Sequence, residues 1–481
     1  KPHMNRKDIL TAHLNKIFEE KSFPGVSVCI RGPEGIIYEH GFGHIDMAKS
    51  REINKDTIMG IASMSKSMTA LACAMLQTEG KLNFSDPVTD YFPQFRIPGT
   101  PRESVTLRHL AMHTAGVPPI APLEWSIVMN TPGRDTEYER ELRKSAPNKM
   151  DTIEDIIDFI ANSGAYKPLG APGEYMSYSN DAYAILSFVV DKAAGQSLES
   201  FLDERIFKPL GMTRTVLDLD GSEANKLGSD GNITELFEKD EEGNLYSDRE
   251  WSVLPPFRGC ACVKSTADDM AKYYLMIAQN GIFKGKRIIP AEAVEILIGR
   301  EFPERQRPFY CFGLNKRLIA GRVLCEHAGG LHGVSTNGGL IRSEDELSGY
   351  GLAVLCNESE VSTEDMFYAC YNLVLGLDID LIHRWFIPSG KKFLDPEMIV
   401  GKYICREANP VYNIVTLTDD FELHAEYQGE PLELHLCYGT LFSARTKEDP
   451  DTNYTSMEFL VRDGKAWGVR CGTRIYQRFE E

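Results

Sequence analysis

The chain has 481 residues, of which 42% are hydrophobic and 25% are charged, and its formal net charge at pH 7 is −18. A chain of this length is too long to fold around one compact core, so we expect two or more domains. The acidic balance argues against nucleic-acid and anionic-membrane partners, which need a basic surface, and no apolar run is long enough to span a bilayer.

The first predicted element is a β-hairpin. Residues 26–30 and 36–39 are rich in β-branched and apolar side chains, and a Gly/Pro turn separates them. A helix is expected over about 63–77, because apolar residues recur there at helical spacing and Gly80 follows as a stop signal. From there to about residue 250 the pattern predicts mainly helices and loops.

Two clear helices, over 154–161 and 182–194, lie in this middle part, and strand patterns return only at 336–341 and 351–356. A sheet that combines the N-terminal hairpin with these late strands fits the order of elements. The sequence thus predicts an α/β (α+β) fold, with an antiparallel sheet flanked by helices and a mainly helical subdomain.

The last part of the chain consists of short strand patterns separated by turn residues, which predicts a small antiparallel barrel or sandwich. The predicted strands cover 412–417, 421–427, 433–438, 456–461 and 467–471. A shift to linker composition then predicts a first domain over 1–385, a linker over 386–397 and an all-β domain over 398–481.

The candidate nucleophile is Ser63, which stands three residues before Lys66 at the start of the predicted helix. The i, i+3 spacing places both side chains on one face, and an apolar setting disfavours the charged lysine, so Lys66 is the candidate proton acceptor. The spacing alone also fits an N-cap serine followed by a solvated lysine. The same pattern recurs at Ser389 and Lys392, in the linker and without a helix.

Two downstream motifs favour Ser63. Tyr178 and Asn180 precede the helix at 182, where a tyrosine can relay a proton and an amide can bind a substrate carbonyl. His327 begins a His-Ala-Gly-Gly segment in which the glycines allow a substrate to approach the backbone closely.

In this order, the three motifs resemble those of the β-lactamase and D-Ala-D-Ala carboxypeptidase family of penicillin-recognising serine hydrolases, closest to its class C-like branch. The segments at 80–87 and 107–118 are also similar, and the resemblance covers roughly residues 10 to 385. The tail from 401 to 476 resembles the lipocalin-like domain found in some members.

The resemblance implies a β-lactamase-like fold and an acyl-enzyme mechanism without a cofactor or metal. Ser63 would attack, Lys66 and Tyr178 would move the proton, and Asn180 would orient the substrate. The N–H groups of Ser63 and Gly330 would form the oxyanion hole, with His327 and Gly329 as further substrate-binding residues.

The histidine at 327 bears on the substrate, because β-lactamases of this branch usually carry lysine there. A neutral histidine is a weaker fixed charge for a substrate carboxylate. We therefore rank peptide or amide hydrolysis of D-amino-acid-type substrates first, ester hydrolysis second and β-lactam hydrolysis third.

Two other classes of function remain open at the level of sequence. His109 and His113 have the i, i+4 spacing of a zinc-binding helix pair, although Leu110 replaces the glutamate of the HExxH motif. A catalytically silent sensor or scaffold of the penicillin-binding type is the alternative without enzyme activity.

Eleven cysteines in an irregular arrangement indicate reduced thiols and favour a cytoplasmic location. The first four residues resemble a tag remnant, which leaves open that a signal peptide has been removed. The expected partner is a small-molecule or peptide substrate, and a homo-oligomer remains open.

Overall fold

The computed structural model describes residues 4–299, 309–342 and 349–481. The chain folds into two compact units. Unit 1 contains 1–86, 130–133 and 183–383, and unit 2 contains 87–129, 134–182 and 384–481. The barrel therefore shares a unit with much of the helical insertion, while the division at 385 stays a prediction.

In chain order, the helices of the described residues are α1 (Arg6–Glu20), α2 (Lys66–Thr78), α3 (Leu107–Ala111), α4 (Pro122–Asn130), α5 (Glu137–Ser145), α6 (Ile153–Asn162), α7 (Asn180–Ala194), α8 (Leu198–Leu202), α9 (Lys208–Leu210), α10 (Ser222–Leu227), α11 (Arg258–Ala261), α12 (Ala267–Ala278), α13 (Ala291–Ile298) and α14 (Glu364–Leu375). The strands are β1 (Gly25–Gly32), β2 (Gly35–Gly43), β3 (Met59–Gly60), β4 (Val216–Leu217), β5 (Leu236–Lys239), β6 (Leu245–Asp248), β7 (Val263–Ser265), β8 (Ile282–Phe283), β9 (Lys286–Arg287), β10 (Phe309–Cys311), β11 (Leu314–Ile319), β12 (Arg322–Leu331), β13 (Val334–Ile341), β14 (Tyr350–Cys356), β15 (Gly401–Cys405), β16 (Val411–Leu417), β17 (Leu423–Tyr427), β18 (Glu430–Tyr438), β19 (Leu441–Arg445), β20 (Thr455–Arg462), β21 (Lys465–Cys471) and β22 (Arg474–Phe479).

The main sheet of unit 1 has seven antiparallel strands in the order β10-β11-β12-β13-β14-β1-β2. Helix α12 packs on β13, β14 and β1, and α14 packs on β13 and β14. Strands β1 and β13 are buried along their whole length, as expected for strands covered on both faces. The prediction that the N-terminal hairpin and the late strands form one sheet is confirmed.

The sequence pattern did not predict β12, the strand that carries the His327 segment. Ala328 to Gly330, near the end of this strand, are small and lack the β-branched or aromatic side chains that are typical of strands. The strand forms because β13 pairs with it from Leu324 to Leu331. The tertiary partner thus overrides a weak local preference.

The barrel of unit 2 closes from eight antiparallel strands, β15 to β22 in sequential order, with β15 pairing to β22. Its interior is apolar, and closure leaves no exposed sheet edge. The predicted antiparallel module is confirmed as a closed barrel, and the pattern missed β15, β19 and β22. Strand β19 is buried on both sides, so it shows no alternation of polar and apolar residues.

All eleven cysteines are buried thiols, and none of them forms a disulfide. In the described ranges, no helix combines the length and the apolar character needed to cross a membrane.

Candidate active site

Ser63 lies in a single 3-10 turn, Ala62–Ser65, that leads directly into α2. The α-helix begins at Lys66, so the predicted helix start at Ser63 is wrong by one turn. Ala62 holds a left-handed backbone with φ of +45°, a conformation that costs energy for a residue with a Cβ and is often found at functional sites. The chain therefore turns sharply just before Ser63.

Lys66 contacts the candidate nucleophile directly. Its side chain is completely buried, and Nζ lies 3.0 Å from Oγ of Ser63. The same Nζ donates to the carbonyl oxygen of Cys260 at 3.3 Å. The predicted i, i+3 contact is thus present, and the solvated-lysine alternative is excluded by the burial.

The glycines of the third motif bring β12 against this turn. A Cβ on Gly329 would lie 2.4 Å from the carbonyl oxygen of Ile61 and 3.3 Å from Cβ of Ala62, distances that only glycine avoids. Across the strand pair, Thr336 Oγ1 donates to the same carbonyl of Ile61 at 3.4 Å. Gly330, by contrast, has open space where its Cβ would be.

One edge of β12 is open beside these glycines. Strand β11 pairs with β12 only from Arg322 to Glu326, whereas β13 continues the pairing to Leu331. In the described part of the sheet, residues 327–331 therefore pair on one edge only. An extended substrate can add to such an edge through backbone hydrogen bonds.

His327 is buried, with 4% of its surface exposed, and both ring nitrogens have protein partners. Nε2 lies 3.1 Å from the hydroxyl of Tyr310, and Nδ1 contacts the carbonyl oxygen of Ala328. A carbonyl can only accept, so Nδ1–H donates, and in the neutral ring Nε2 then accepts from the Tyr310 hydroxyl. Tyr310 is a residue that none of the motifs contains.

Tyr178 and Asn180 lie in unit 2. Tyr178 is buried, with 7% exposed, and its ring centroid lies 4.6 Å from that of His113. Its backbone N–H donates to the carbonyl of Thr473 at 2.8 Å. Asn180 is the first residue of α7, two residues before the predicted helix start.

His113 supports the tyrosine segment, and its place in the chain bears on the zinc-pair alternative. Its Nδ1 accepts from the N–H of Ser179 at 2.9 Å, and its backbone is left-handed, beyond the end of α3 at Ala111. His109 caps α3, because its Nδ1 accepts from the N–H of Thr106 at 3.0 Å. The two histidines therefore do not share a helix face.

A cluster of ionisable groups lies beside Tyr178 in unit 2, and no sequence motif predicts it. The guanidinium carbon of Arg474 lies 4.7 Å from the Tyr178 ring centroid, and Nε of Arg474 lies 2.5 Å from the carboxylate of Glu407. Burial opposes the charge of Arg474, but Glu407 outweighs it and raises the pKa above its ordinary value. Burial also raises the pKa of Glu124, which interacts with both residues, to about 7.

The predicted site residues thus form two groups. Unit 1 brings Ser63 and Lys66 together and places Gly329 of β12 against the turn that carries Ser63, the candidate nucleophile turn. Unit 2 places Tyr178 and Asn180 at the start of α7, beside His113 and the last hairpin of the barrel. The second SxxK pattern remains in a loop, where Ser389 Oγ donates to the carbonyl of Leu436 at 2.9 Å.

A family model described as Beta-lactamase matches residues 10–369. Penicillin-binding protein 4* of Bacillus subtilis is 31% identical over 207 residues, which are 42% of this chain and 41% of that protein. A Beta-lactamase of Escherichia coli is 24% identical over 271 residues, 55% of this chain and 59% of that protein. The matched parts thus span about half the length of these relatives.

Among solved structures, the octameric penicillin-binding protein homologue from Pyrococcus abyssi aligns with 98% of this chain and 99% of its own, at 22% identity and a TM-score of 0.65. A D-stereospecific amidohydrolase from Streptomyces aligns with 77% of this chain and 99% of its own, at 21% identity and a TM-score of 0.57. At these identities the similarity establishes the fold.

Proposed function

The chain belongs to the beta-lactamase family, and from that premise we propose that it is a serine hydrolase that cleaves peptide or amide bonds through an acyl-enzyme. The observation that carries the proposal is the pairing of Ser63 Oγ with the fully buried Lys66 Nζ at 3.0 Å, behind a strained turn. A buried lysine in direct contact with a serine hydroxyl is suited to activate a nucleophile.

In the proposed reaction, Oγ of Ser63 attacks the carbonyl carbon while its proton leaves through Lys66 and Tyr178. The leaving amine takes that proton, and the acyl group stays on Ser63 as an ester. Water then attacks the ester, gives a proton to Tyr178, and releases the acid as Ser63 regains its own proton. Asn180 orients the substrate carbonyl and Lys66.

The oxyanion would be bound by the N–H groups of Ser63 and Gly330. The open space at Gly330 and the single-sided pairing of residues 327–331 support this role, because an extended substrate can reach the backbone there. Losing one such donor typically costs about 2.7–4 kcal/mol of transition-state stabilisation.

For the substrate class, we keep the order amide or peptide, then ester, then β-lactam. The burial and hydrogen bonds of the His327 ring support it, since a neutral histidine at this position supplies no fixed positive charge for the carboxylate of a β-lactam. A solved structure with a similar fold is described as a D-stereospecific amidohydrolase, and this supports D-configured amides as the proposed substrates.

Assembly and location are further parts of the proposal. The neighbour described as octameric supports a homo-oligomer, and eleven buried thiols without a disulfide support a reducing compartment such as the cytoplasm.

Labelling with a fluorophosphonate, followed by peptide mass mapping, tests the nucleophile. We expect the label on Ser63 in the native protein and none on the Ser63→Ala variant. Ser389→Ala is the matched control, because it removes the serine of the second SxxK pattern, and it should label like the native chain. Label elsewhere, or unchanged turnover in Ser63→Ala, would contradict the assignment.

Turnover assays then separate the substrate classes and the silent alternative. D-Alanine 4-nitroanilide, 4-nitrophenyl butyrate and nitrocefin report on amide, ester and β-lactam hydrolysis respectively. For each substrate, kcat/KM is divided by the rate constant of the uncatalysed hydrolysis, and we expect this ratio to be largest for the amide. A labelled Ser63 with no turnover of any of the three would identify a sensor or scaffold instead.

A further inference from the structure

The segment that carries Tyr178 is held by the last hairpin of the barrel. The N–H of Tyr178 donates to the carbonyl of Thr473 at 2.8 Å, and the N–H of Ile475 donates to Oγ of Ser177 at 3.0 Å. These two bonds enclose Arg474, which lies between their barrel partners in sequence. The hairpin thus presents this arginine directly to the tyrosine.

Contacts further along the same segment give this attachment a second fixed point. The guanidinium of Arg470 donates to the carbonyl of Met176 at 3.2 Å. The ring of Tyr175 meets that of Trp467 edge-on, with 4.8 Å between centroids. Because the barrel is closed and internally packed, it forms a rigid base for four consecutive residues that end at Tyr178.

Arg474 sits where its charge acts on Tyr178. Its guanidinium carbon is 4.7 Å from the ring centroid, within the range of a cation–π contact. Glu407 also contacts the guanidinium, with its carboxylate oxygen 2.5 Å from Nε of Arg474. The other groups facing this pair are His113 against the tyrosine ring, and Cys405 and Glu124 near Arg474.

We propose that Arg474 is a positioning residue through which the barrel orients Tyr178 and stabilises negative charge on its hydroxyl during proton transfer. The inference rests on the proposed function and deepens it, because it assigns the barrel a role in catalysis. The phenolate form of Tyr178 receives the proton of Ser63 and passes it to the leaving amine. A fixed positive charge within a few ångströms favours that phenolate.

The test compares four variants by pH profiles of kcat and KM on D-alanine 4-nitroanilide, which has no carboxylate. Arg474→Met removes the charge but keeps an unbranched side chain of similar reach, and Arg474→Lys keeps a charge. Glu407→Gln removes the counter-ion. Arg462→Met is the matched control, since Arg462 makes an exposed cation–π contact with Trp467 in the same barrel.

We expect Arg474→Met to lower kcat about tenfold with little change in KM, and to move the acid limb of kcat/KM to higher pH by about one unit. Arg474→Lys should bring the limb back toward the native position. Glu407→Gln should move it to lower pH, because the guanidinium charge is then uncompensated. Arg462→Met should leave the profile unchanged.

A measurement that needs no turnover separates this inference from the proposed function. The absorbance of tyrosinate at 295 nm is titrated for the native chain, Tyr178→Phe and Arg474→Met. Subtracting Tyr178→Phe from the native curve isolates the ionisation of Tyr178, and we expect Arg474→Met to move that midpoint upward. If no substrate is turned over but the midpoint moves, the action of the Arg474 charge on Tyr178 stands while the proposed reaction fails.

Two results would overturn the inference. Unchanged midpoints and pH limbs in both Arg474→Met and Glu407→Gln would leave Arg474 with a purely structural role. A KM increase confined to D-Ala-D-Ala, which has a free carboxylate, would instead make Arg474 a substrate contact.

Discussion

The turn that carries Ser63 and the segment that carries Tyr178 hold their side chains in different ways. Ser63 and Lys66 are three residues apart, and the geometry of one helical start brings them to 3.0 Å. Tyr178 receives its neighbours Thr473 and Arg474 from almost 300 residues further along the chain. A short motif thus encodes the proposed reacting pair locally, whereas tertiary folding assembles the environment of the proposed proton relay.

The largest expected effect tests the local half of this comparison. Lys66→Met keeps an unbranched side chain in the buried site but removes the amine, so we expect kcat to fall on the order of 10³-fold with the fold retained. Steady-state kinetics on D-alanine 4-nitroanilide and a circular dichroism spectrum measure the two quantities.

Lys264→Met is the matched control for Lys66→Met. Lys264 is also buried in unit 1, but its Nζ donates to the carbonyl of Asp218 at 2.7 Å. We expect its kcat to stay within about threefold of the native value. Equal losses in both variants would show that a buried lysine of unit 1 is needed for folding rather than for proton transfer.

The next effect concerns how β12 holds the nucleophile turn. Gly329→Ala places a Cβ too close to the carbonyl oxygen of Ile61, so the turn before Ser63 must shift. A displacement of about 1 Å at a reacting group can cost on the order of 10²-fold in rate, and we expect a loss of this size. The measurement is kcat/KM together with the rate of fluorophosphonate labelling.

Gly330→Ala sharpens the same test, because an added Cβ there meets open space in the folded chain. We expect its melting temperature to match that of the native protein, while Gly329→Ala melts lower. If Gly329→Ala were labelled at the native rate, close contact between β12 and the turn would have no part in positioning Ser63.

The smallest expected effect concerns a buried carboxyl group next to the segment that carries Tyr178. Asp181 follows Asn180 directly, its Oδ1 has no hydrogen-bond partner among the described residues, and burial raises its pKa to about 7. The folded chain therefore binds this proton more tightly than the unfolded chain does. Its contribution to stability is present below the unfolded pKa of about 4 and is lost as pH rises toward 7.

We expect Asp181→Asn to flatten this part of the pH dependence, so that the variant gains about 1–3 kcal/mol relative to the native chain between about pH 5 and pH 8. Melting temperatures at both pH values measure it. Asp151→Asn, at an exposed carboxylate of the same unit, is the control and should follow the native curve. A parallel response of both variants would mean that Asp181 is charged in the folded protein.

The sequence alone determined what short-range periodicity and spacing can carry. Hydrophobic periodicity placed α2 and α7 to within a turn. Strand-forming composition between turn residues placed the hairpin and five barrel strands, and i, i+3 spacing paired Ser63 with Lys66. The apolar residues around Ser63 also distinguished it from the second pattern at Ser389, which stays in a loop.

Tertiary structure decided the features that depend on distant partners. Strand β12 forms through its pairing with β13, although its own residues are weak strand formers. The hydrogen bond of His327 Nε2 depends on Tyr310, and the surroundings of Tyr178 depend on closure of the barrel that delivers Arg474 and Glu407. Such contacts leave no periodic trace in the chain, because the residues that make them are related only by the packing of elements far apart in sequence.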